Sequence, residues 1–186
     1  MCKTLLLGLG NDILTDDAIG LRVAGALRKR FVDQPNITVA ESAEMGLTLL
    51  DLAVGYDGLV LVDAIQTHHA PPGFVHEFEG QDLMSIPASS PHFFGVAETL
   101  ALGRELGLSV PSRVKVFAIE VLDPYTVSAR MTPELELAVP AIIEQVYTRL
   151  LCVLVEAPTG RRLQGQDDGS EVQPVCDAKP GEVAEV

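Results

Sequence analysis

The chain has 186 residues, of which 47% are hydrophobic, so its length and composition suit one domain with a full core rather than a disordered polymer. Thirteen basic and 26 acidic residues give a formal net charge of -13, which disfavours nucleic acid and anionic membrane surfaces as partners. The three cysteines are widely spaced and outside any C-x-x-C pattern, which argues against a disulfide framework or a cysteine metal cluster.

The first residues lead directly into an apolar run, without the charged leader, separate apolar segment and cleavage site of a secretory signal. The longest apolar runs, such as residues 58–62, are too short to span a bilayer. We therefore expect a cytoplasmic protein with no membrane span, and we expect it to act as a monomer.

A strand, a loop and a helix open the chain. The apolar run over residues 4–9 predicts a strand buried on both faces, and the amphipathic segment over residues 19–27 predicts a helix. Asp16 and Asp17 lie between them at the start of the helix, where the positive end of the helix dipole stabilises negative charge. We expect both carboxylates to stay ionised and to face the loop.

This arrangement predicts a ligand site at the carboxyl edge of a parallel sheet. A dinucleotide-binding loop would follow the pattern G-x-G-x-x-G, but Ile13 stands where the third glycine is needed. A phosphate would also meet three acids, Asp12, Asp16 and Asp17. A cation or a carbonyl group is therefore a better candidate ligand for this loop than a phosphate.

The remaining elements alternate between strands and helices. Strands are predicted over residues 36–41, 58–62, 74–79 and 114–121. Helices are predicted over residues 47–54, with Leu47, Leu50 and Val54 on one face, over residues 95–106, and from Pro133 onward, with Thr132 as the N-cap and a kink at Pro140. The alternation predicts an α/β fold, a three-layer sandwich with a twisted, largely parallel sheet flanked by helices on both faces. We assign one domain to residues 1–155 and an acidic, unstructured tail to residues 156–186.

Three distant side chains can meet at the carboxyl edge if the sheet is parallel. Asp17 follows the first strand, Asp63 ends the third, and His92 lies in a loop before a helix. Two carboxylates and one imidazole suit a divalent first-row metal. Each residue also has a structural interpretation: Asp17 can complement a helix dipole, Asp63 can cap a turn, and His92 can bond to the backbone at a helix entry.

The spacing of the other three histidines does not predict a metal site. If His68 and His69 were on a strand, their side chains would point in opposite directions, so we expect them in a solvated loop rather than in a shared site. His76 is expected on the surface of an edge strand. The chain has neither the H-E-x-x-H pattern of zinc peptidases nor the G-x-S-x-G elbow of serine hydrolases.

The stretch Gly8-Leu9-Gly10-Asn11-Asp12-Ile13-Leu14-Thr15-Asp16-Asp17-Ala18-Ile19-Gly20 resembles the opening motif of the nickel-iron hydrogenase maturation endopeptidases. Val62-Asp63-Ala64 and Ser90-Pro91-His92 match further motifs of that family in its order and approximate spacing, and the similarity covers residues 4 to about 151. Members trim the C-terminal extension of the hydrogenase large subunit after nickel has been inserted.

The resemblance implies that Asp17, Asp63 and His92 are the site residues and metal ligands, with nickel supplied by the substrate protein. The partner it implies is a hydrogenase large-subunit precursor. One departure concerns the wall of the cleft: after the second strand the family often has an aspartate followed by paired glycines, whereas this chain has Glu41-Ser42-Ala43-Glu44 before Gly46.

Two mechanisms remain open for such a site. In the first, the nickel is a template that positions the scissile bond; in the second, a metal polarises the scissile carbonyl while Asp16 or Asp17 assists a water molecule. A different class of function is a non-catalytic α/β module that binds a metal or a nucleotide through the loop between Gly8 and Gly20.

Overall fold

The computed structural model describes residues 2–84 and 91–156, and for residues 91–94, 155 and 156 it describes the backbone alone. The strands are β1 (Thr4–Leu9), β2 (Ile37–Ser42), β3 (Gly58–Ile65), β4 (Val75–Glu79) and β5 (Arg113–Glu120). The helices are α1 (Ile19–Arg30), α2 (Leu47–Ala53), α3 (Pro91–Glu105) and α4 (Pro133–Glu156), and a single 3-10 turn covers Gly80–Asp82.

The five strands form one sheet in the order β2-β1-β3-β5-β4. The first four are parallel, and β4 pairs with β5 in the antiparallel direction at the edge of the sheet. The largely parallel α/β fold predicted from the sequence is therefore confirmed. Because β2, β1, β3 and β5 run the same way, the loops that follow them meet at one edge, called here the carboxyl edge.

Helices cover both faces of the sheet. On one face, α1 and α4 pack over a core cluster that includes Leu6, Ile19, Val62, Phe117, Ile142 and Val146. On the other face, α2 and α3 pack over a cluster that includes Leu7, Leu49, Leu61, Ile65, Val96 and Ala118. The strands β1, β3 and β5 lie between these two clusters, which explains why β1 and β3 are nearly continuous apolar runs and why residues 116–119 of β5 are apolar.

The face that α2 buries differs from the prediction. The sequence indicated Leu47, Leu50 and Val54, but Leu47 and Val54 are exposed and the buried residues are Leu49, Leu50 and Ala53. A helix of two turns offers too few apolar positions for its periodicity to fix which face packs, and here Leu49 and Ala53, four residues apart, meet the core.

Two element ends also differ from the prediction. The strand β3 continues two residues beyond Asp63, to Ile65, because it stays paired with β5 there. The helix α3 begins at Pro91, four residues earlier than the sequence indicated, so Pro91 and His92 lie in its first turn. The loop predicted over residues 80–91 contains a 3-10 turn, and residues 85–90 lie outside the described part of the chain.

The last helix begins at Pro133 as predicted and continues through Pro140 to Glu156. Within the described ranges, one stretch, Pro133–Leu154, is long and apolar enough to cross a membrane by length and composition alone. The sequence analysis considered only continuous apolar runs and therefore did not predict a helix of this length and mean hydropathy. A core helix passes the same test, and α4 buries Leu135 and Ile142 against the sheet. The tail predicted over residues 156–186 lies outside the described residues after Glu156.

Gly20 holds the first turn of α1 against the ends of two strands. A Cβ at this position would lie 2.1 Å from the Leu9 carbonyl oxygen and 2.4 Å from the Val62 carbonyl oxygen. Because these are backbone atoms, we expect Gly20→Ala to lower the free energy of unfolding by about 1 to 3 kcal/mol in urea denaturation. In the matched variant Gly25→Ala the new methyl meets only the flexible side chain of Glu41, at 3.3 Å. That variant should be neutral or more stable, and equal losses in both would contradict this packing.

Candidate active site

Asp17 lies in the loop between β1 and α1, at the carboxyl edge, and is partly buried. Its backbone is fixed by Gly10, which has a φ of 143° and approaches so closely that a Cβ there would lie 2.0 Å from the Asp17 carbonyl oxygen. Only glycine combines that φ with that contact. The glycine-rich sequence before Asp17 therefore positions the acid through backbone packing.

Asp16 is fully buried and joins two loops. Its Oδ2 accepts the backbone N–H groups of Leu122 (3.2 Å) and Asp123 (3.0 Å), and its Oδ1 accepts the N–H of Thr132 at 2.8 Å. The Thr132 hydroxyl donates to the same carboxylate at 3.0 Å. The prediction that Asp16 faces the loop beside Asp17 is thus wrong, because the carboxylate points inward to tie the β1–α1 loop to the β5–α4 loop.

Asp63 is fully buried near the end of β3, and its Oδ1 accepts the N–H of Ala64 at 2.8 Å. The register of β1 with β3 ends at the pair Gly8 and Val62, so Asp63 is the first residue of β3 beyond that pairing. Side chains alternate along a strand, and Leu61 and Ile65 belong to the core under α2 and α3. The Asp63 side chain therefore lies on the face that α3 covers.

The two acids flank the switch point of the sheet. The strand β2, which follows β1 in the chain, lies on one side of the β1–β3 pair. The strands β4 and β5, which follow β3, lie on the other side. In open α/β sheets the crevice outside the strand ends at such a reversal is where ligands bind. Gly20, three residues after Asp17, approaches the Val62 carbonyl oxygen that precedes Asp63, so the two acidic segments are held next to each other.

His92 lies in the first turn of α3, and its side chain lies outside the described part of the structure. One turn later, a Cβ at Gly95 would be 3.3 Å from the Cε of Met45, which follows β2 at the carboxyl edge. The start of α3 is therefore at the same edge as Asp17 and Asp63. The side-chain meeting predicted for the three residues stays a prediction.

The described side chains contain no group of three histidine, cysteine, aspartate or glutamate residues arranged to hold a metal ion. Asp17 and Asp63 are among these side chains and the His92 side chain is not, so the set of three metal ligands stays a prediction. A cavity of about 940 Å³ opens elsewhere, lined by Thr4, Gly58 and Arg113 where three strands begin. It lies at the opposite edge of the sheet and has no candidate residue in its wall.

A third buried carboxylate lies at the carboxyl edge, on Glu120 at the end of β5. Its Oε1 accepts the N–H groups of Thr67 (2.7 Å) and His68 (2.9 Å), and its Oε2 contacts the Thr67 hydroxyl at 2.7 Å and His76 Nε2 at 2.9 Å. His76 lies in the predicted edge strand, but its side chain is only 20% exposed because it contacts Glu120. The sequence carried one sign of this contact, an acid that directly follows the apolar residues 116–119.

Glu120 makes the fold sensitive to acid. Burial raises the pKa of Glu120, but hydrogen bonds from the Thr67 hydroxyl, His76 and the backbone N–H groups of Thr67 and His68 outweigh it and leave the pKa below its ordinary value. A lowered pKa gives stability that is complete above the ordinary value near 4.5 and is lost as the pH falls through the folded-state pKa.

We therefore expect Glu120→Gln to destabilise the chain by about 1 kcal/mol at pH 7, because the amide oxygen can still accept the two N–H groups but lacks the charge that strengthens these hydrogen bonds. The difference from the unmodified chain should shrink steadily below about pH 4 in urea titrations. The exposed acid Glu105 provides the control variant Glu105→Gln. A Glu120→Gln penalty that stays constant from pH 7 to pH 3 would contradict the assignment.

The fold and the site define an α/β protein with two acids, Asp17 and Asp63, beside the switch point of its sheet. The family model of the hydrogenase maturation proteases, HycI, matches residues 21–149, a range that contains Asp63 and His92 and begins just after Asp17. The chain therefore belongs to the hydrogenase maturation protease family and is a hydrolase of the peptidase class.

Individual relatives agree with this assignment. The chain is 30% identical over 159 residues to the hydrogenase 2 maturation protease of Escherichia coli (strain K12), covering 83% of this chain and 94% of that protein. It is 25% identical over 178 residues to the hydrogenase expression/formation protein HupD of Rhizobium leguminosarum bv. viciae, covering 94% and 84%. The solved structure of the hydrogenase maturating endopeptidase HybD from E. coli matches with a TM-score of 0.67 at 26% identity, covering 81% and 93%.

Proposed function

We propose that this peptidase removes the C-terminal extension of a nickel-iron hydrogenase large-subunit precursor after nickel insertion. Family membership supports a hydrogenase precursor as the substrate. The observation that carries the proposal is the placement of Asp17 and Asp63 on either side of the switch point between β1 and β3. The cytoplasmic location and the monomeric state remain predictions from the sequence.

The proposed recognition element is the nickel held by the client, which arrives as part of the substrate. Asp17, Asp63 and His92 would supply two carboxylate oxygens and one imidazole nitrogen, a donor set that a divalent first-row metal accepts. A resident catalytic zinc ion is usually held by more imidazole or thiolate ligands than this site offers. The donor set therefore supports a transient contact with a metal that the client already binds.

In this proposal the chain acts mainly by positioning. Hydrolysis adds the oxygen of water to the scissile carbonyl carbon, breaks the bond to nitrogen and gives the released amine a proton. Holding the client by its metal fixes the scissile bond beside the acids, and orientation of this kind lowers the barrier without altering the chemistry. Asp17 is the acid available to assist the water, because it is only partly buried.

Asp16 is not suited to the assisting role that the sequence left open for it. A general base must reach the proton that it removes, directly or through one water molecule. The Asp16 carboxylate is fully buried and already accepts hydrogen bonds from three backbone N–H groups and one hydroxyl. We assign it the positioning of the loop that carries Asp17.

The experiment that tests the function is the incubation of the purified chain with a purified, nickel-loaded large-subunit precursor. Mass spectrometry should show a large subunit shortened by its C-terminal extension, and no shortening with the precursor alone. The rival nucleotide-binding module predicts an uncleaved precursor and tight binding in a calorimetric titration with ATP or NAD. The structure gives that rival little support, because Ile13 is exposed rather than packed between helix and strand.

A further inference from the structure

The loops after β1 and β5 pair with each other beside the candidate site. Leu14 lies opposite Val127 in an isolated antiparallel bridge. Two backbone hydrogen bonds flank this bridge, from Thr15 N–H to the Thr126 carbonyl oxygen (2.9 Å) and from Ser128 N–H to the Ile13 carbonyl oxygen (3.0 Å). The two loops thus form a short two-stranded ribbon at the carboxyl edge.

The ribbon exposes apolar side chains. Val127 is 77% exposed and Tyr125 is 67% exposed, and Ile13 at the end of the ribbon is also largely exposed. Val127 and its bridge partner Leu14 lie on one side of the ribbon, and Tyr125 lies in the bend over residues 124–126 that leads into Val127. We call Ile13, Leu14, Tyr125 and Val127 the ribbon patch.

The support under the ribbon patch is fixed. The buried carboxylate of Asp16 accepts hydrogen bonds from the chain before Tyr125 and after Val127, at Leu122, Asp123 and Thr132. Thr15 adds a hydroxyl bond to the Thr126 carbonyl oxygen at 2.7 Å. Exposed apolar side chains on a pre-organised support are typical of a binding surface, since little conformational entropy is lost when a partner docks.

The ribbon patch is continuous with the candidate site. Leu14 is three residues from Asp17 in the same loop, a span of at most roughly 10 Å of extended chain. A protein that covers the patch would therefore bring its own surface directly to the acids. The family makes such a partner necessary, because the substrate of a maturation protease is itself a protein.

We propose that the ribbon patch is the docking surface for the client precursor, an inference that rests on the proposed function. The chemistry that it fits is an apolar area bordered by basic side chains, because the exposed Asp12 and the partly exposed Asp123 lie beside it. A second copy of the chain fits less well, since each copy carries a net charge of -13.

The test uses the full chain with the double substitution Tyr125→Ser and Val127→Ser. The Kd for the nickel-loaded precursor, measured by calorimetry, should rise at least about tenfold, and KM for its cleavage should rise in parallel while kcat stays within twofold. The matched control is Val32→Ser with Leu137→Ser, which removes two side chains that are 78% and 84% exposed elsewhere. The control should bind and cleave as the unmodified chain does.

The outcomes separate the two proposals. Cleavage of the precursor by the unmodified chain and by the double variant with equal KM would overturn the docking surface and leave the function standing. Binding that the double substitution weakens, without cleavage by any variant, would support the docking surface and remove the function. Sedimentation of the unmodified chain as a dimer that the double substitution dissociates would assign the patch to a second copy and overturn the proposal.

Discussion

Replacing Asp17 with asparagine should reduce cleavage of the nickel-loaded precursor by at least about 100-fold, because loss of even an outer ligand contact costs 10- to 100-fold in metal sites. Asparagine keeps the size of the side chain and its carbonyl oxygen but removes the negative charge that strengthens a contact with a cation. Since Asp17 is only partly buried at the start of α1, the thermal midpoint should change little. Mass spectrometry of the large subunit and circular dichroism measure the two effects.

The matched control for this prediction is Asp33→Asn, which removes the same charge from an exposed position at the other end of α1. It should leave cleavage within about twofold, since solvent screens a charge at that site. Equal activity of Asp17→Asn and Asp33→Asn would contradict the assignment of Asp17. A loss in Asp17→Asn that is accompanied by unfolding would instead place the acid among the structural residues.

The largest effect on stability is expected for Asp16→Asn. The substitution turns one oxygen into an NH₂ group that must face backbone N–H donors, at Leu122 and Asp123 or at Thr132. Because these groups are enclosed, at least one donor is left without an acceptor, and we expect a loss of about 3 kcal/mol or more in the free energy of unfolding. Urea denaturation at pH 7 measures it.

Asp123→Asn provides the comparison, because the Asp123 Oδ1 accepts the N–H groups of Tyr125 and Thr126 and an asparagine oxygen can do the same. This variant should lose little stability. If Asp16→Asn were as stable as Asp123→Asn, the buried link between the two loops would not be the anchor that the structure indicates. A stable but inactive Asp16→Asn would favour a direct role in the chemistry.

Local patterns predicted most of the fold. The apolar runs of β1 and β3 are buried on both faces, so composition alone marked them as interior strands. The sequence also placed Asp17 and Asp63 at the carboxyl edge, because a parallel sheet collects the loops that follow its strands there. Helix α2 was harder, since two turns carry too little periodicity to fix a face.

The interactions that the sequence did not predict join distant parts of the chain. Asp16 and Thr132 are 116 residues apart, and the threonine had been assigned as a helix cap rather than as a partner for a buried acid. His76 and Glu120 are 44 residues apart and meet only because β4 pairs with β5 in one particular antiparallel register. Register and loop contacts of this kind depend on tertiary packing, which no local pattern records.

The most direct test of the central claim, that the chain recognises its client through the metal of the client, compares nickel-loaded and nickel-free precursor. Both forms are incubated with the purified chain under the same conditions, and the mass of the large subunit is followed over time. We expect shortening of the nickel-loaded form only, with Asp17→Asn inactive on both. Cleavage of the nickel-free form at the same rate would contradict it.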